Sequence, residues 1–349
     1  MSLNALGIAS VVFLVLYALC FFALCFGFAS RQLKFKSRWS FVLFHVTLRL
    51  AAQSVGIAFS LKGFSDIGLL IAYLVLGAEG YFSLVLCTAR FLISFHNHIF
   101  GDSWLEPKEF KNSNVMNQLP LVRLGRRILR NFQIRVGENH IAQETDADRQ
   151  TTANPRRKRV NFSGYVHYLL IVANAIIISG TSQAAGTIGE DPEEIQSTLQ
   201  RSRAMRAAGQ SIFLAINIGL IICVAITISQ YRRLAAQQNK PQVKSTWYGH
   251  SCLCALLLTS PFLITRGVFG ICQSLLTSLS FFSASTYTAD GFADEFVIKE
   301  TVLAIAMEWS TCVLLISTWP LQRAYGLNRV SSASHGRASA DATEGDAQA

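Results

Sequence analysis

Apolar residues in this chain are gathered into blocks instead of being scattered at amphipathic spacing. Seven blocks are long enough to cross a hydrocarbon core of about 30 Å as helices: 5–29, 40–61, 67–95, 164–183, 209–231, 248–275 and 298–319. Backbone N–H and C=O groups cannot be left unpaired in lipid, so each block predicts a helix. The pattern therefore predicts an all-α integral membrane protein, a seven-helix transmembrane bundle over residues 1–322. The first block has no basic segment before it and is followed at once by Arg31, Lys34, Lys36 and Arg38, which predicts an uncleaved first span and not a removed leader.

Composition agrees, with 51% hydrophobic and only 15% charged residues. The net charge of +10 would point to nucleic acid in a soluble chain. Here the basic residues lie between apolar blocks, which makes them a topology signal, and no nucleic-acid partner is expected. With the N-terminus outside, five lysines and arginines fall outside (Lys62, Arg201, Arg203, Arg206, Lys299), three fall within spans, and 23 of the 31 are cytosolic. The expected orientation is N-terminus outside and C-terminus in the cytosol. Trp39, Tyr165, Tyr231, Trp247, Tyr248 and Trp319 sit at ends assigned to the cytosol, as headgroup-level aromatics would. Asp191-Pro192-Glu193-Glu194 reads as a helix start, so span five is expected to project outward as a helix with solvated acidic and basic faces.

The longest connection, 96–161, contains a basic amphipathic helix at 121–136. Leu121, Leu124, Ile128, Leu129 and Phe132 share one face, with Arg123, Arg126, Arg127 and Arg130 largely opposite. Anionic lipid headgroups at the cytosolic face are the expected partner, and Arg156, Arg157, Lys158 and Arg159 add a second contact. The same charges could also serve only to set topology. The tail 323–349, almost free of large apolar residues, is expected to be disordered. All eight cysteines fall in or at the edge of apolar blocks, and Cys252-Leu253-Cys254 lacks the company of a zinc site. No metal and no cofactor is expected.

Charges inside a span cost several kcal/mol unless paired or hydrated. Four lie in the middle of a span: Arg49, Glu79, Arg266 and Glu308. Counted from Trp39 and Trp319, Arg49 and Glu308 lie at about 15–17 Å, and counted from Ser94 and His250, Glu79 and Arg266 lie at about 22–24 Å. Matching heights predict two pairs, Arg49 with Glu308 and Glu79 with Arg266. His45 and Gln53, one turn either side of Arg49, are expected on the same face. Either the pairs fix helix register, or they border a hydrated cavity for an anionic or amphipathic small molecule. Pro261 removes a helix hydrogen bond to the Leu257 carbonyl and predicts a kink, a candidate hinge.

The stretches Arg38-Trp-Ser-Phe-Val-Leu-Phe-His-Val-Thr-Leu-Arg49, Pro261-Phe-Leu-Ile-Thr-Arg266 and Ala304-Ile-Ala-Met-Glu308 resemble the motifs of a fungal family of seven-span membrane proteins known as a domain of unknown function. The resemblance implies a fungal source and loose kinship with receptor-like and lipid-exporter-like seven-span proteins, and it supplies no activity.

Seven-span activities can be tested by residue. Retinal binding needs a mid-span lysine where this chain has Glu308. Rhodopsin-class receptors end span three in an acidic-Arg-aromatic triplet, where this chain has Ala89-Arg90-Phe91. No Walker loop, nucleophile elbow or zinc-hydrolase motif occurs, so no catalytic residue is assigned and the chain is not expected to be an enzyme. Two readings remain. The first is a receptor- or scaffold-like protein with buried ion pairs in the plasma membrane or another endomembrane. The second is a transporter or lipid exporter with a cavity lined by the same charges. A sealed bundle favours a scaffold, an outward cup a receptor, and a through-going cleft transport.

Overall fold

The computed structural model describes residues 3–35, 37–100, 103–106, 162–186, 192–237, 251–288 and 291–321. The segment 121–136, the run Arg156-Arg157-Lys158-Arg159 and the tail 323–349 lie outside the described residues. Long helices dominate: α1 (Ala5–Ala29), α2 (Arg38–Lys62), α3 (Ile67–Ile99), α4 (Phe162–Gly186), α5 (Pro192–Gln237), α6 (Ser251–Leu275) and α7 (Asp294–Leu321). Among the described residues these seven are long and apolar enough to cross a membrane.

Local chemistry sets several ends. Asn4 caps α1 by accepting from the Gly7 N–H at 3.0 Å, and Ser37 caps α2 by accepting from the Trp39 N–H at 3.4 Å. Pro192 opens α5, where its missing N–H costs nothing. That helix runs 46 residues, well before the apolar block at 209. Its basic residues are not all solvated, however: Arg206 is only 6% exposed, on one buried stripe with Ser202, Gln210, Phe213 and Asn217. Trp39, expected at headgroup level, is buried and packs edge-on against Phe91 at 5.1 Å, with Arg38 over the Phe91 ring. Helix α6 continues through Pro261, where Thr259 and Ser260 hydroxyls donate to the Leu256 carbonyl.

The chain divides into two units. The larger comprises 1–92 and 170–349. Within it α3 is the hub, bonded through His45 to α2, Asn174 to α4, Asn217 to α5, the Leu263 carbonyl to α6 and Glu300 to α7. Helix α1 is peripheral. Ile8, Val11, Val12, Val15, Leu19, Phe22 and Phe26 form one exposed apolar stripe along it, while Leu6, Phe13, Tyr17 and Leu24 face inward. The connection from α6 to α7 carries a two-stranded hairpin, β1 (Tyr287–Thr288) and β2 (Gly291–Phe292), with Tyr287 opposite Phe292. Phe281, Phe292 and Phe296 pack with Leu6, Phe59 and Tyr73 into a cluster at the end of the helices that holds the chain's first residues. Burial pushes the Tyr287 phenol up to about 12, against the nearby positive charge of Arg206.

In the smaller unit, 93–169, the His96 ring meets the Ser103 hydroxyl at 3.1 Å and the Ser163 N–H donates to the Leu105 carbonyl.

Helices α1 and α2 meet through small residues. Ser60 donates to Asn4 at 2.7 Å, and a Cβ on Gly56 would lie 2.6 Å from the Ser10 hydroxyl and 3.2 Å from the Tyr73 ring. Gly56→Leu is therefore expected to cost about 1–3 kcal/mol through overpacking. Gly219→Ala, where a Cβ would meet nothing within 4 Å, should cost nothing. Thermal unfolding of the two purified variants in one detergent measures the contrast.

Candidate functional site

Three helices converge on one carboxylate. Glu308 of α7 is fully buried, and its Oε2 takes the Arg49 Nη2 of α2 while its Oε1 takes the Arg266 Nε of α6 at 2.6 Å. Arg49 also reaches the Gly77 carbonyl at 3.5 Å, and its guanidinium lies where a side chain on Gly80 would have to go. One carboxylate thus serves two arginines, through one oxygen each.

The expected partnership of Glu79 with Arg266 is not formed. Glu79 accepts from the Asn174 amide at 2.5 Å, and no ion pair involves it among the described residues. The height argument failed because an arginine side chain spans more than a helical turn, so Arg266 can reach a carboxylate a turn away from its own level. Rotation about the helix axis then decides the partner, and residue counting does not supply rotation. His45 and Gln53 are buried with Arg49, as the one-turn spacing requires. His45 meets the Ser83 hydroxyl at 2.9 Å, and Ser83 donates in turn to the Gly80 carbonyl.

A second carboxylate lies close by. Glu300 is buried, its Oε1 accepts from the Tyr73 hydroxyl at 3.2 Å, and it interacts electrostatically with both Arg49 and Arg266. In a regular helix, eight residues at about 100° each would set Glu300 and Glu308 about 80° apart. Between them, however, Thr301–Ala306 forms a π-helix. Each π residue advances by less than an α residue, so this stretch roughly cancels the offset and turns both carboxylates to one side.

Both acids line a cavity of about 70 Å³, room for roughly five waters. Arg49, Arg206, Arg266, Gln210 and Gln273 also line it, and Phe281 and Phe282 of the α6–α7 connection form part of its wall. Arg206 lies 5.0 Å over the Phe282 ring, and its Nε and Nη2 have no hydrogen-bond partner. The same holds for Arg266 Nη1, Gln273 Nε2, Gln210 Oε1 and Glu300 Oε2. Buried polar atoms are rarely left this way in a dry core, so the cavity is built for a polar occupant. Another cavity, of about 20 Å³ and lined by Thr88 and Asn217, shares no residue with it.

Sequence reasoning missed Arg206, which it counted among the outer basic residues, and Glu300, which it did not single out. The spacing of Arg206 to Gln210, Phe213, Asn217 and Leu220 was the available signal for an inward-facing arginine. Comparison with protein-family models, with curated proteins and with solved structures returns no match for this chain.

Proposed function

We propose that this chain is a receptor-like seven-span membrane protein, with its N-terminus outside and its C-terminus in the cytosol, that takes a small polar ligand into the cavity from the outer side. The observation that carries this reading is that the residues around one cavity beside the Arg49–Glu308–Arg266 cluster carry a set of buried, unpartnered polar atoms. Sidedness rests on the excess of lysine and arginine in the segments assigned to the cytosol and on the aromatic ends that coincide with them. The basic segment 121–136 and Arg156 to Arg159 then face anionic lipid. A transporter or lipid exporter needs a passage to both faces. The cavity beside Glu308 shares no lining residue with the smaller one at Thr88 and Asn217, which supports a cup over a passage among the described residues.

Thiol labelling tests the cup. Gln273→Cys in intact cells is expected to react with a membrane-impermeant reagent added from outside, above the background of the unsubstituted protein, and not with reagent confined to the cytosol. Reaction from both faces would establish transport-type access, and reaction only from the cytosol would reverse the proposed orientation.

A further inference from the structure

We infer that the ligand of this cavity is a short organic monocarboxylate carrying a hydroxyl group, with its carboxylate seated on Arg206. The inference rests on the cup proposed above and names the chemistry that the cup selects.

The charge balance of the cavity comes first. Three guanidinium groups (Arg49, Arg206, Arg266) face two carboxylates (Glu300, Glu308), leaving a surplus of at least one positive charge. Arg49 and Arg266 are occupied by Glu308. The surplus therefore sits on Arg206, which lines the cavity, is only 6% exposed and has no carboxylate paired with it among the described residues. A buried guanidinium without a counter-ion is costly, and an anion entering the cavity removes that cost.

Geometry selects the kind of anion. The two unpartnered donors of Arg206, Nε and Nη2, are the pair on one edge of the guanidinium, whose N–H bonds run parallel. That edge matches the two oxygens of a carboxylate in a bidentate contact. A halide offers a single point acceptor and uses the fork poorly. A phosphate dianion brings more charge than the surplus removes. Room for roughly five waters suits a ligand of about five or six heavy atoms, such as glycolate or lactate.

The remaining open atoms add the hydroxyl. Gln210 Oε1 and Glu300 Oε2 are acceptors that lack donors. Gln210 Oε1 and Arg266 Nη1 lie 2.6 and 3.2 Å from the point where a Cβ on Gly270 would stand, so both flank the same spot. A hydroxyl can donate to the amide oxygen while accepting from the guanidinium. Leu74, Ile177 and Phe282 leave apolar wall for a methyl group.

The full chain in phosphatidylcholine nanodiscs tests this by calorimetry with glycolate, lactate, propionate, decanoate, alanine, inorganic phosphate and chloride. Glycolate and lactate are expected to bind, with propionate weaker and decanoate no tighter than propionate. Alanine, whose zwitterion leaves the surplus charge in place, and phosphate are expected to bind more weakly than propionate. Arg206→Gln should weaken glycolate roughly 10- to 100-fold, with Arg206→Lys between it and the unsubstituted protein. Heat-induced unfolding of each variant without ligand checks that it is folded. If Arg206→Gln does not fold, the ligand ranking on the unsubstituted protein decides alone. No carboxylate binding, tighter binding of phosphate, chloride or alanine than of glycolate, tighter binding of decanoate than of propionate, or equal glycolate binding by folded Arg206→Gln would each overturn the proposal. Both faces are open in a nanodisc, so a negative result beside outer labelling of Gln273→Cys removes the carboxylate and leaves the cup standing.

Discussion

Glu308→Gln is expected to destabilise the protein by about 3–5 kcal/mol, more than the loss of either arginine that it serves. Glu308 is the shared partner of Arg49 and Arg266, one on each oxygen. An amide in its place keeps one acceptor and turns an N–H₂ group toward the other guanidinium, stranding two buried cations at once. Removing one arginine is milder, because the other stays with Glu308 as a neutral pair. Arg49→Gln and Arg266→Gln should therefore each cost less than Glu308→Gln, and adding Arg49→Gln to Glu308→Gln should recover part of the loss. Thermal unfolding of the purified variants, together with their folded yield in membranes, measures the order. Equal costs for Glu308→Gln and Arg49→Gln would show that the carboxylate does not hold both cations.

The second large effect is expected at Gly80. Any Cβ there would overlap the Arg49 guanidinium, so Gly80→Ala must either displace Arg49 from Glu308 or push α2 and α3 apart. Overpacking alone costs about 1–3 kcal/mol, and partial loss of the ion pair adds to it. The partner substitution is informative. Arg49→Lys replaces the planar fork with a slimmer ammonium stem, weakening the contact to Glu308 but making room for a methyl group. Gly80→Ala and Arg49→Lys together should therefore be less harmful than the sum of the two, with a coupling of about 1 kcal/mol. Strict additivity in unfolding measurements would mean that Gly80 does not make the space for Arg49.

The helices were legible because an unbroken apolar block of spanning length points to a helix, and the block boundaries match the helices to within a few residues at most ends. Asp191-Pro192 marked the start of α5 by cap chemistry. The contact between Arg49 and Glu308 could be read because each charge had to be neutralised and both stood at one depth. What failed was rotation about the helix axes. Depth alone joined Glu79 to Arg266, whereas the packing turns Glu79 toward Asn174 and Arg266 toward Glu308. Arg206 and Glu300 were hidden differently. Arg206 lies before the apolar block that opens at 209, in helical turns that extend past it, and Glu300 lies at the very start of the block 298–319, where a charge reads as an end residue; both are buried beside the Phe281–Phe282 connection. The π stretch has no sequence signature in Thr301–Ala306, a run as apolar as any regular helix.

That stretch also gives α7 a surplus residue, placed between its two buried acids. Were it placed beyond Glu308 instead, that carboxylate would face about 80–100° away from its present direction relative to Glu300. The position of that surplus residue, ahead of Glu308, is therefore what lets one carboxylate meet two guanidiniums while the other lines the same cavity.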